Sequence, residues 1–140
     1  MVNISVMVSG GGTNLQAVID GIRDGRIENA RIGLVLSGNA DAYALERAGK
    51  AGVKTAVVCK RDFPDAEVRA DEILRVLNAA ETDLVVMAGY INILHPRVCR
   101  AFAGRIINIH PALLPKHGGE GYFGIRVHEA VLLAGDRESG

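Results

Sequence analysis

An amide and an imidazole stand two residues apart in Asn108-Ile109-His110-Pro111-Ala112-Leu113-Leu114-Pro115, where a short apolar run ends. Residues two apart in an extended chain point to the same side, so Asn108 and His110 can converge on one reacting atom. That pairing suits a carbonyl whose oxygen gains negative charge. The amide donates a hydrogen bond, and a protonated imidazole donates a proton or a second bond. Pro111 and Pro115 restrict the backbone that carries the pair. A lone histidine is otherwise read as a satisfied structural group, and His95, His117 and His128 keep that reading.

A second constellation lies near the start, in Ser9-Gly10-Gly11-Gly12-Thr13-Asn14-Leu15. Three glycines let the backbone turn sharply and bring its N–H groups close to a ligand. The segment opens a helical pattern, and a helix N-terminus adds unpaired donors and partial positive charge, which suit a phosphate. Thr13 and Asn14 carry short polar side chains able to cap the helix or bond a phosphate oxygen. No lysine follows the glycines, so the loop is not a Walker loop, and their spacing is not that of dinucleotide binders. A monophosphate fits better than a pyrophosphate. The plain alternative is a tight turn before a capped helix, with no ligand.

These groups must be held by elements, and the pattern supplies them. Apolar runs rich in Val and Ile recur at Ile4–Val8, Ile32–Leu36, Thr55–Val58, Leu84–Met87 and Ile106–Ile109. They are short and apolar on both faces, as strands covered on both sides should be. Between them Leu15–Arg23, Ala42–Ala51, Ala66–Ala80 and the stretch around Pro96–Phe102 repeat apolar residues at helical spacing, with Val68, Ile73, Leu74 and Leu77 expected on one buried face. Gly52 is placed to end the second helix. Strand alternating with helix implies a parallel sheet with right-handed crossovers, whose ligands sit at the carboxyl ends of the strands. Four glycines in His117–Gly124 read as a mobile loop, after which Val127–Ala134 returns to a helical pattern.

Bulk properties narrow the function classes. The chain has 140 residues, is 49% hydrophobic but only 4% aromatic, and carries 16 basic against 16 acidic side chains. One domain, residues 1–140, with an aliphatic core is expected. A balanced charge argues against a nucleic-acid groove, which needs clustered, uncompensated cations. Cys59 and Cys99 form neither a CxxC pair nor a metal-ligand spacing, and no metal is expected. No apolar run approaches the roughly 20 residues of a membrane span, so the expected location is the cytoplasm.

SGGGTNLQAVID near the start, AGYINIL at Ala88–Leu94 and NIHPALLPK after the fifth run together resemble the phosphoribosylglycinamide formyltransferase family, over essentially all 140 residues. The resemblance implies a Rossmann-like α/β formyltransferase fold, with helices on both faces of the parallel sheet. It implies transfer of a formyl group from 10-formyltetrahydrofolate, as co-substrate, to the amine of glycinamide ribonucleotide in purine synthesis. Gly12, Thr13 and Asn14 would bind the ribonucleotide phosphate; Ile91, Asn92, Ile93, Leu94 and Asn108 would meet the folate; Asn108 and His110 would be catalytic. The family commonly places an Arg where Asn92 stands and another where Ala66 stands, and Arg61 or Arg69 are the candidates to compensate. The Lys116–Gly124 loop is longer and richer in glycine than the common form.

The resemblance covers about the first two thirds of a usual member, and nothing in residues 1–140 matches the motif of the family's catalytic Asp. The expectation is therefore a sheet lacking its C-terminal strands, little or no turnover, and self-association into a homo-oligomer through exposed sheet. Two alternatives stay open: another folate formyltransferase or deformylase, which shares the Asn-x-His pair, and a phosphate-binding module without catalysis.

Overall fold

The computed structural model describes all 140 residues and contains five strands and five helices. In chain order they are β1 (Val2–Val8), α1 (Thr13–Arg23), β2 (Ala30–Ser37), α2 (Tyr43–Lys50), β3 (Thr55–Val57), α3 (Ala66–Ala79), β4 (Leu84–Met87), α4 (Pro96–Ala101), β5 (Ile106–Asn108) and α5 (Ile125–Ala134). The strands form one sheet in the order β3-β2-β1-β4-β5, and every pairing is parallel. The chain builds outward from β1 to β3, then crosses back through α3 to lay β4 on the other side of β1. Strand order thus reverses between β1 and β4, and their carboxyl ends diverge into a crevice.

The two faces of the sheet are sorted by the two-residue period of a strand. Ile4, Val6 and Val8 of β1 join Val35 and Val86 against Leu15, Ala44 and Ala48 of α1 and α2. Met7, Leu34, Leu36 and Val85 face the other way and pack with Ile73 and Leu77 of α3 and Val98 of α4. Both clusters are aliphatic, as the composition requires. Between β1 and the loop before β4, Ser5 Oγ and Thr82 Oγ1 lie 2.7 Å apart, and Thr82 donates to the Leu77 carbonyl at 2.7 Å. These buried hydroxyls therefore keep their hydrogen bonds.

Several expectations need correction. Val68 is 52% exposed. It precedes Ile73 by five residues, about 140° around a helix, so it leaves the stripe that Ala70, Ile73 and Leu77 form. Helix α1 starts two residues early, with Gly12 as its N-cap and no side-chain cap bond. Thr13 and Asn14 are therefore helical residues rather than caps. β5 is an edge strand: Ile107, paired with Val86 on the α1/α2 side, is 54% exposed because no helix covers it there. Gly52 does end α2, following the C-cap Ala51 at φ 69°. α5 is a satellite whose Val127 and Val131 form a small cluster with Ala112, separate from the two main cores. No helix is long and apolar enough to cross a membrane.

Candidate functional site

A cavity of about 390 Å³ opens beyond the carboxyl ends of β4 and β5. Asn14, Ile91, Asn92, Ile93, Leu94, Asn108 and His110 all line it, together with Tyr122 and Phe123 of the glycine-rich loop. Residues from four separate stretches of the sequence are thus brought to one place. Gly12 and Thr13 are not among the lining residues and lie at the start of α1 beside Asn14.

β5 ends at Asn108, and the Ile109 N–H still donates to the Met87 carbonyl at 3.3 Å. The extended path therefore continues past Asn108, and both Asn108 and His110 reach the same cavity. The Asn108 side chain has no hydrogen bond within the protein and is exposed. His110 Nε2 lies 2.8 Å from the His117 carbonyl oxygen, so that nitrogen carries hydrogen and donates. No carboxylate pairs with the His110 ring. The carboxylate of Asp136 is taken instead by His117 Nε2 at 2.8 Å and Lys116 Nζ at 2.9 Å. The Lys116 ammonium first, and His117 second, hold the Asp136 carboxyl below the usual carboxylate range.

The glycine loop follows β1. The first intrahelical bond of α1 runs from Gln16 N–H to the Gly12 carbonyl at 2.9 Å, which leaves the N–H groups of Thr13, Asn14 and Leu15 without partners in the protein. Gly12 sits at φ 75° and a Cβ there would fall 2.6 Å from the Ala44 Cβ, so both conformation and space demand glycine. The loop is tied to the far side of the crevice by Ser9, which is 6% exposed and whose Oγ accepts from the Ile91 N–H at 3.1 Å. Sequence reasoning assigned no role to Ser9. Its only signal was a small hydroxyl residue at the end of a buried strand.

Asn92 stands in the cavity wall, and Gly38 makes room for it: a Cβ on Gly38 would fall 2.7 Å from Asn92 Nδ2 and 3.0 Å from the Tyr90 ring. Burial pushes the Tyr90 phenol above its ordinary pKa, opposed in part by the neighbouring Asn92 amide and the charge of Arg69. Neither Arg61 nor Arg69 lines the cavity. Arg61 pairs with Asp62 at 3.1 Å. Arg69 donates to the carbonyls of Phe63 and Pro64 at 2.7 and 3.3 Å. His95 and His128 stand apart from His110: His95 accepts from the Arg97 N–H as the N-cap of α4 and meets Glu67 at 3.1 Å, while His128 is on the exposed face of α5.

A parallel sheet whose strand order reverses between β1 and β4, with a cavity beyond the carboxyl ends of β4 and β5, defines the class as a doubly wound α/β protein, an architecture whose ligands sit at the carboxyl ends of the strands near such a reversal. Comparison with known proteins makes the class specific. The formyl transferase family model matches residues 2–140, and the chain belongs to that family. Over 140 residues it is 43% identical to the phosphoribosylglycinamide formyltransferase of Haemophilus influenzae, covering 100% of this chain and 63% of that protein. The Escherichia coli phosphoribosylglycinamide formyltransferase is 40% identical over 138 residues, covering 99% of this chain and 62% of its own length. Among solved structures, glycinamide ribonucleotide transformylase 1 from Symbiobacterium toebii superposes with a TM-score of 0.88 at 39% identity, over 100% of this chain and 63% of that one. The chain thus spans a little under two thirds of these relatives, and its fold is the Rossmann-like fold of the family.

Proposed function

We propose that this chain carries the ribonucleotide and formyl-transfer centre of a phosphoribosylglycinamide formyltransferase, moving a formyl group from 10-formyltetrahydrofolate to the amine of glycinamide ribonucleotide. The observation that carries this reading is the single cavity in which Asn108 and His110 meet Asn14 and the Ile91–Leu94 segment. Gly12, Thr13 and Asn14 would hold the phosphate through unpaired N–H groups and short side chains at a helix N-terminus. Ile91, Ile93 and Leu94 offer an apolar wall for a flat pterin, and Asn92 and Asn108 offer its polar edge hydrogen bonds.

The chemistry asked of the chain is modest. The substrate amine forms a bond to the formyl carbon, the bond from that carbon to the folate nitrogen breaks, and the proton lost by the amine ends on that nitrogen. Asn108 donates a hydrogen bond to the formyl oxygen as it gains charge, and His110 supplies a second donor and holds the moving proton. Both are placed by the extended backbone that leaves β5. We further propose that turnover is slow. No carboxylate lies beside His110 to orient its ring or share the moving proton, and Asp136 pairs with His117 and Lys116.

Isothermal titration with glycinamide ribonucleotide, then with a 10-formylfolate analogue, tests the two halves of the site. Binding of both supports the reading, and binding of neither removes it. Ribonucleotide binding alone favours a phosphate-binding module without catalysis, which the intact glycine loop beside a carboxylate-free His110 makes the second reading. Steady-state turnover near the ordinary enzyme value of about 10 s⁻¹ would overturn the expectation of slow transfer.

A further inference from the structure

Helix α2 stands directly behind the glycine loop and holds it at three successive residues. The Ala44 N–H donates to the Gly10 carbonyl at 3.0 Å. Arg47 Nε donates to the Gly11 carbonyl at 2.7 Å. Gly12 presents only hydrogen to Ala44, where a Cβ would collide. The two bonded carbonyls point back into α2. In a trans peptide the N–H points opposite to the C=O, so the N–H groups of Gly11 and Gly12 face away from α2. Neither has a partner in the protein. With Thr13, Asn14 and Leu15 they make five consecutive unpaired donors.

Arg47 also matters for its charge. It pairs with no carboxylate. Its other hydrogen bond goes to the neutral Gln16 Oε1 at 3.3 Å, and its guanidinium lies 5.1 Å over the Tyr43 ring. The positive charge behind the loop is therefore uncompensated within the chain. No lysine or arginine lies within Ser9–Leu15 itself.

We propose that Arg47 is the positioning residue of the phosphate site. It fixes the Gly11–Gly12 peptide with its N–H outward and supplies, from behind the loop, the cationic charge that the loop sequence lacks. The ligand class is a phosphomonoester dianion. This deepens the phosphate reading of the glycine loop and rests on it.

The test titrates the 140-residue chain and its Arg47→Met, Arg47→Gln and Arg47→Lys variants with inorganic phosphate and with glycinamide ribonucleotide, alongside thermal unfolding of each free protein. Loss of a charged hydrogen-bond donor predicts about a tenfold or greater loss of affinity in Arg47→Met. Arg47→Gln, which keeps a donor without charge, and Arg47→Lys, which keeps charge without the guanidinium fork, should each recover part of it. Amide NMR gives a readout that a merely structural role would not move. Phosphate should shift the Gly11 and Gly12 amide protons of the unmodified chain, and shift them less in Arg47→Lys. Arg47→Met binding the ribonucleotide as tightly as the unmodified chain would overturn the proposal. If Arg47→Met does not fold, an Arg47→Lys variant with unaltered affinity and unaltered Gly11 and Gly12 shifts overturns it equally. Failure of the unmodified chain to bind either ligand would overturn the phosphate reading, and the proposal with it.

Discussion

Asn108 shows how a residue can matter for chemistry while contributing little to the fold. Its side chain is exposed and bonds to nothing in the protein, so Asn108→Ala should change stability by no more than about 0.5 kcal/mol. As an oxyanion donor its loss should lower whatever turnover the chain sustains by about 10²–10³-fold. Chemical denaturation beside single-turnover kinetics reads both numbers, and an equal loss in each would show that Asn108 is structural. Tyr90 makes the opposite case, since it is buried and its consequence is a pH dependence. Burial raises its folded pKa above the ordinary value of about 10. A raised value means that the folded state holds the proton longer. The native state is therefore unaffected below pH about 10 and loses stability as pH rises through the folded value. The phenolate absorbance that Tyr90→Phe removes should appear at higher pH in the native than in the denatured chain, and Tyr90→Phe should flatten the alkaline fall in stability. A phenolate forming at the same pH in both states would refute it.

At the scale of elements, two helix starts are capped by side chains and three, those of α1, α2 and α5, are not. Asp65 caps α3 by accepting from the Val68 N–H at 3.0 Å, and His95 caps α4 by accepting from the Arg97 N–H at 3.2 Å. α1 has no such cap, although Thr13 and Asn14 stand at its start. Asp65→Ala should therefore cost about 1 kcal/mol, seen as a lower denaturation midpoint at unchanged slope. Gly12→Ala should be worse than an ordinary glycine replacement, because left-handed backbone and a 2.6 Å approach to Ala44 both oppose it. A loss of more than about 1 kcal/mol is expected, with ribonucleotide binding lost as well; a Gly12→Ala variant of native stability would show that the loop relaxes freely. The same elements show what the sequence made legible. Asn108 and His110, the glycine loop and the Ile91–Leu94 segment could each be read locally, because each is a short run at the end of a strand. The strand order, the Ser9–Ile91 tie, the opening that Gly38 makes for Asn92 and the commitment of Asp136 to His117 join residues 19 to 82 apart in sequence, and no local period encodes them. Val68 departs from the expected stripe because an apolar residue near a helix start belongs to it only when its angle around the axis also fits.

On the scale of the whole molecule, β5 and α5 both carry exposed large apolar side chains. β5 has no helix over its α1/α2 side, where Ile107 is 54% exposed, and α5 turns Leu132 and Leu133 outward at 78% and 89% exposure. α5 itself rests on two buried side chains and one alanine, so it belongs to the least stable part of the fold and its amides should exchange earliest. An edge strand with unpaired backbone groups beside exposed aliphatic side chains is a template for another chain. The expected outcome is reversible self-association whose extent rises with concentration, measured by sedimentation or light scattering. Ile107→Lys places a charge on the edge strand and should push the equilibrium towards monomer. Leu132→Lys with Leu133→Glu should do so only if α5 shares the contact. Because all three side chains are exposed in the monomer, these changes should leave its stability within about 0.5 kcal/mol. A shift in association without a shift in unfolding would assign the effect to the interface. A chain that stays monomeric at high concentration before any substitution would show that this apolar surface is tolerated in water, and that neither the β5 edge nor α5 pairs with a second copy.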